Sequence, residues 1–258
     1  MDNIILIGVL ASLGAGMMTA VGAIPVLFGR DIGRGANDAM LGFAAGVMIS
    51  ASFFSLILPG IDAGTQIYGS VPAAALLAGL GIALGAALVA WMNETLPHEH
   101  FIVGPEGADP GALPKIWLFV IAITIHNFPE GMAVGIGFGG GDVTNGLSLA
   151  TGIGLQNAPE GLAVALALRG QGYSKSRSFL IAMLTGLVEP VGGLLGVALI
   201  HISVYVLPLG LTFAAGAMLY IISHEIIPET HRYGHQNKAT TGLIFGLILM
   251  MLLDVILA

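Results

Sequence analysis

What most limits this chain is a series of eight apolar stretches, each close to twenty residues long, at 4–28, 40–58, 71–91, 116–138, 147–168, 179–200, 204–227 and 241–258. A bilayer core of about 30 Å is crossed by roughly 20 helical residues. Within hydrocarbon the backbone must satisfy its own hydrogen bonds, which segments of this length do as helices. The expected fold is an all-α polytopic membrane protein with eight transmembrane helices. With 56% hydrophobic residues, 9% charged residues and a mean hydropathy of +0.93, a water-soluble domain is excluded. The 258 residues read as a single transmembrane domain over 1–258, whose activity lies inside the bundle or in its loops. Met1-Asp2-Asn3 supplies no basic segment ahead of the first apolar run, which reads as a retained helix.

The net charge is −7, and the basic residues are too few and scattered to suggest nucleic acid. Their placement is more telling. Arg30 and Arg34 lie between the first two spans, Lys115 just before the fourth, Arg169, Lys175 and Arg177 between the fifth and sixth, and Arg232 and Lys238 between the last two. The intervening loops carry none. By the positive-inside rule the basic loops are cytoplasmic, and an even number of spans puts both termini outside the cell's inner (plasma) membrane.

The longest connection, 92–114, is rich in Pro, Gly and acids, contains His98, Glu99 and His100, and reads as a flexible cytoplasmic tether. With no cysteine, metal chemistry would have to use oxygen and nitrogen. An internal repeat stands out: HNFPEGMAV from His126 recurs thirty residues later as QNAPEGLAV from Gln156. The predicted topology runs one copy outward and the other inward, so the copies face each other near mid-membrane. Broken helices at corresponding positions are where transporter sites are commonly built. The 39 glycines favour close helix approach and permit a homodimer without demanding one.

Four predicted spans carry a carboxylate, Glu130, Glu160, Glu189 and Glu225, and no Lys or Arg lies mid-span. Each such group is costly in a membrane, and a bound cation is the natural counter-charge. His126 and Glu130, at i and i+4, share a helix face, as do Gln156 and Glu160. Pro129 and Pro159 lack the amide hydrogen that would bond the carbonyls of Ile125 and Leu155. A kinked polar seam is expected, with Gly131 and Gly161 letting the two helices, or water, come close. Glutamates, one imidazole and the amide oxygens of Asn127, Gln156 and Asn157 suit zinc, iron(II), manganese and similar ions. Adding Glu189 suggests two metals bridged by Glu130 and Glu160. A single Pro-Glu could instead be a kink bearing a protonated acid; the facing repeat argues for a cation or proton site.

His224-Glu225, followed by Pro228, Glu229, His231 and His235, could join His98 and His100 in a secondary metal site at the inner exit, or form a solvated helix end. Asp62 is an entrance residue or an interfacial cap, and Asp254 reads as interfacial.

At these residues the chain resembles the bacterial branch of the ZIP (Zrt-, Irt-like protein) family of divalent metal transporters. The resemblance covers essentially the whole chain, including LVEP in the sixth span and SHEIIPE in the seventh. It implies a 3+2+3 arrangement of helices and a binuclear site. One metal would use His126, Glu130, Gln156 and Glu160; its neighbour would use Asn127, Glu130, Asn157, Glu160 and Glu189. It further implies a cytoplasmic release site of His98, His100, Glu225 and His235, and a unit of helices one, four, five and six moving against the rest. Many eukaryotic relatives have His-Glu where this chain has Gln156-Asn157.

The expected function is import of divalent cations, zinc first and then cadmium, iron(II) or manganese, by alternating access. The metal is substrate, no catalytic cofactor is implied, and the partners are metal ions and membrane lipid. An intramembrane metalloprotease would need H-E-x-x-H, but Pro228 stands at the second histidine position. A proton-coupled carrier using the same glutamates is the remaining alternative.

Overall fold

A computed structural model describes residues 2–29, 32–95, 98–100, 104–106, 115–232 and 234–257; at 2, 98–100, 104–106, 115 and 257 the backbone alone is described. Eight helical columns result: α1 (Asp2–Leu27), α2 (Arg34–Tyr68), α3 (Val71–Thr95), α4 (Lys115–Gly139), α5 (Val143–Gly170), α6 (Lys175–Ile202), α7 (Val204–His231) and α8 (Gln236–Leu257). Turn chemistry sets several boundaries. Asp142 and Ser174 accept from the backbone amides of Asn145 and Arg177 and so cap the starts of α5 and α6. Gly69 ends α2 at φ 69°, in the left-handed region that glycine tolerates.

Seven of these columns are long and apolar enough to cross a membrane; α5 has the length, but its Gln156-Asn157 and Glu160 lower its hydropathy. The lateral surface is apolar, as a lipid-solvated protein requires. Leu76, Leu80, Leu84 and Trp91 on α3, and Ile244, Phe245 and Val255 on α8, are all exposed.

The helical columns bear out the all-α expectation, and the one piece of other regular structure among the described residues lies in a connection. The connection after α3 contains a short antiparallel hairpin, β1 (His98–His100) with β2 (Gly104–Glu106), in which His98 pairs with Glu106 and His100 with Gly104; β1 lies against α4. A segment so rich in Pro and Gly cannot extend a helix, and strand pairing satisfies its backbone instead. The connection also begins later than expected, because α3 runs on to Thr95 and takes in Asn93.

The helix breaks also fall elsewhere than expected. α4 and α5 stay helical through Pro129 and Pro159. α6 is interrupted after Gly186 and restarts at Glu189, with Pro190 in its first turn. α2 and α7 each contain a wide π turn, Ala51–Ile57 and Ile222–Ile226, just ahead of Pro59 and Pro228. A proline ring clashes with the carbonyl four residues back, and the wider turn accommodates it.

Packing sorts the columns. α1, α4, α5 and α6 all touch one another, with α1 against α5 and α4 against α6 as the closest pairs. α8 packs on α2, and α3 on α7. Contacts between the two sets run chiefly through α2 with α5 and α4 with α7. One apolar cluster includes Val134 and Phe138 of α4 and Leu149 and Ile153 of α5; a second includes Ile116 and Val120 of α4 and Leu162 and Leu168 of α5. The polar part of the repeated motif, 126–130 and 156–160, occupies the stretch of each helix between them.

Candidate metal-transport site

The two copies of the motif meet. Gln156 Nε2 donates to Glu130 Oε1 across 2.5 Å, joining α5 to α4. Asn157 Nδ2 donates to Glu189 Oε1 at 2.7 Å and to the Ala15 carbonyl at 2.9 Å, which ties α5 to α6 and α1. Ser12 on α1 donates to the Glu189 carbonyl at 2.8 Å. His126, Asn127, Glu130, Gln156, Asn157, Glu160 and Glu189 are all buried, none more than 4% exposed.

Glu189 owes its position to the break in α6. As the first residue of the restarted helix, Glu189 sits at an N-terminus, where the helix dipole favours negative charge.

The glycines of the repeat do something other than expected. A Cβ at Gly131 would overlap the backbone of Glu189, and one at Gly161 would overlap the backbone of Thr19. They seat α6 against α4 and α1 against α5, rather than bringing the two repeat helices together. The sequence could not say which neighbour each glycine faces, because both faces of a buried helix look alike in it.

Several buried oxygens have no hydrogen-bond partner among the described residues: Asn127 Oδ1, Glu130 Oε2, Gln156 Oε1, Asn157 Oδ1, Glu189 Oε2 and both oxygens of Glu160. Buried polar atoms are normally satisfied, so this concentration of unpartnered oxygens sets the cluster apart from the rest of the interior. Among the described residues no three His, Asp or Glu side chains are gathered closely enough to hold an ion by themselves. Glu130 and Glu189 are each engaged by an amide through one oxygen, and His126 Nε2 contacts Glu225 Oε2.

Of the residues assigned to the inner exit, Glu225 and His235 have described side chains, and the two take different partners. Glu225 lies in the π turn of α7, buried beside His126, and accepts from Asn93 Nδ2 of α3 at 3.3 Å. His235 Nδ1 instead pairs with Asp38 of α2 at 2.8 Å. The side chains of His98 and His100 lie outside the described residues. Asp62 is exposed on the last part of α2. Asp254 Oδ1 accepts from Ser55 of α2 at 2.6 Å and Ser148 of α5 at 2.5 Å, knotting three columns together.

Sequence reasoning missed Asp38, Asn93 and Ser12, all buried. For Asn93 a signal existed, an amide following an unbroken apolar run, but the helix was expected to stop before it.

The fold and site together define a polytopic membrane protein with a buried carboxylate and amide cluster on antiparallel helices. Residues 111–254 match the family model described as ZIP Zinc transporter. The zinc transporter GufA of Myxococcus xanthus is 47% identical over 247 residues, covering 96% of this chain and 97% of that protein. The zinc transporter ZIPB of Bordetella bronchiseptica is 47% identical over 236 residues, covering 92% and 76%. The human zinc transporter ZIP11 is 34% identical over 319 aligned positions, covering 92% and 93%. The chain belongs to the ZIP family.

Proposed function

We propose that this protein carries divalent transition-metal cations, zinc foremost, across the inner (plasma) membrane into the cytoplasm. The observation that carries the reading is the set of unpartnered buried oxygens on α4, α5 and α6, in spans that hold no Lys or Arg between 116 and 168. A dication is the counter-charge these groups lack. One metal takes His126, Glu130, Gln156 and Glu160; a second takes Asn127, Glu130, Asn157, Glu160 and Glu189, with Glu130 and Glu160 bridging. Mixed nitrogen and oxygen donors hold a borderline ion reversibly, as transport needs, and they extend the cargo range to cadmium, iron(II) and manganese. The names of the relatives put zinc first.

In this reading α5 is the eighth span, both termini lie outside, and the helices form the 3+2+3 arrangement. α1, α4, α5 and α6 shift as a unit against α2, α3, α7 and α8, in keeping with their packing. Cations enter past Asp62 and leave toward His98, His100 and His235. Protons compete for the same glutamates, so uptake falls as pH is lowered.

The test is uptake of radiolabelled zinc into proteoliposomes, comparing the parent with Glu130→Ala and His126→Ala at matched incorporation. Saturable uptake lost in both variants supports the reading. A parent that moves no zinc, cadmium, iron or manganese while protons still flow refutes it and leaves the proton-coupled carrier.

A further inference from the structure

The pairing of His126 with Glu225 carries an inference of its own, one that rests on the metal path through His126 proposed above. The two residues belong to different sets of helices. His126 is on α4, which packs against α1, α5 and α6; Glu225 is on α7, whose main partner is α3. Both side chains are buried, at 5% and 3% exposure. Glu225 is held from its own side as well, because Asn93 of α3 donates to its other oxygen. Its place in a π turn, rather than a regular helical turn, lets the side chain face α4 while Pro228 is accommodated behind it.

The imidazole nitrogen that touches Glu225 is Nε2, and that contact competes directly with a metal for His126. A metal bound through that nitrogen takes the electron pair the contact uses, and no lysine or arginine lies mid-span to replace the imidazole as partner of Glu225. Loading therefore breaks a contact between the two sets of helices.

We infer that His126 and Glu225 form a load-sensing latch: without cargo the pair ties α4 to α7, and a metal that takes His126 as ligand unties them. The carboxylate of Glu225 then stays with Asn93 on the stationary side, as a negative charge facing the departing site. On this account Glu225 is a positioning residue for the central site and opposes the first step of loading. The assignment to a release site alone predicts the opposite sign for its removal.

The test uses the purified full chain in lipid nanodiscs, with zinc itself as the probe. Glu225→Gln keeps an oxygen to accept from Asn93 and removes only the charge, so the local fold is preserved; Asn93→Ala is a second variant, expected to act in the same direction and more weakly. Zinc affinity is measured by equilibrium binding. Because the chain has no cysteine, spin labels can be placed at Val143→Cys on α5 and Val204→Cys on α7, both exposed, and their separation read by double electron–electron resonance. Releasing a buried charge-assisted contact is expected to tighten zinc binding about tenfold or more in Glu225→Gln. The labelled parent is expected to change its distance distribution on adding zinc, and Glu225→Gln to show the zinc-bound distribution without zinc. Weaker zinc binding in Glu225→Gln, or a zinc-free distribution identical to the parent's, overturns the latch. If zinc binding is instead unaffected by Glu130→Gln, the central-site reading itself fails and the latch with it.

Discussion

Replacing Gly131 by alanine tests how closely α6 must sit on α4 for the site to exist. An added Cβ would overlap the carbonyl oxygen of Glu189 and lie 2.6 Å from its carbonyl carbon and Cα. Overpacking costs roughly 1–3 kcal/mol, and the upper end applies because backbone atoms cannot rotate aside. Alanine returns about 1 kcal/mol through its higher helix propensity, leaving a net loss of about 2 kcal/mol. Gly79→Ala is the matched control: nothing lies within 4 Å of its Cβ position, so only the propensity gain remains. Thermal unfolding in one detergent should place the melting temperature of Gly131→Ala on the order of 4–8 °C below the parent, with Gly79→Ala at or above it. Since the displaced backbone is that of Glu189, zinc uptake at permissive temperature should fall in Gly131→Ala alone. If the two variants melt together and transport alike, the close seat of α6 on α4 is refuted.

Gly161→Ala should behave like Gly131→Ala, because its Cβ meets the Thr19 backbone of α1, and the same melting assay reads it. Ser148→Ala removes one of the two hydroxyls donating to Asp254 Oδ1; a loss of about 1–2 kcal/mol is expected in denaturant or thermal unfolding, and Ser55→Ala added to it should not sum linearly. His235→Ala should destabilise more than Asp38→Asn, because the first leaves a buried carboxylate without its imidazole while the second leaves a neutral amide that still offers an acceptor; equal melting temperatures would refute the pairing. Asn157→Ala should release Glu189 from α5 and weaken zinc binding by about tenfold, read by equilibrium binding against the parent.

Much of this was legible in the sequence because lipid imposes a strict rule on composition. Long apolar runs in a chain with 9% charge read as spans, and acids within them need partners. The repeat also announced that two helices present the same groups, and the bond from Gln156 to Glu130 joins them directly. Family membership was legible too, because the spaced motifs on the fourth to seventh helices are specific.

The sequence alone determined which residues are polar, which helices carry them, and that those polar groups need partners inside a membrane. Which partner each group takes was decided by tertiary structure. Nothing in the order of residues says that His126 meets Glu225, ninety-nine positions away, or that Asp38 meets His235. Nor does it say that Gly131 and Gly161 serve α6 and α1, or that the breaks fall in α2, α6 and α7 rather than at the prolines of the repeat. The physical reason is the same in each case. Helical periodicity fixes which side chains share a face, but the face a neighbour covers depends on how all eight helices pack at once.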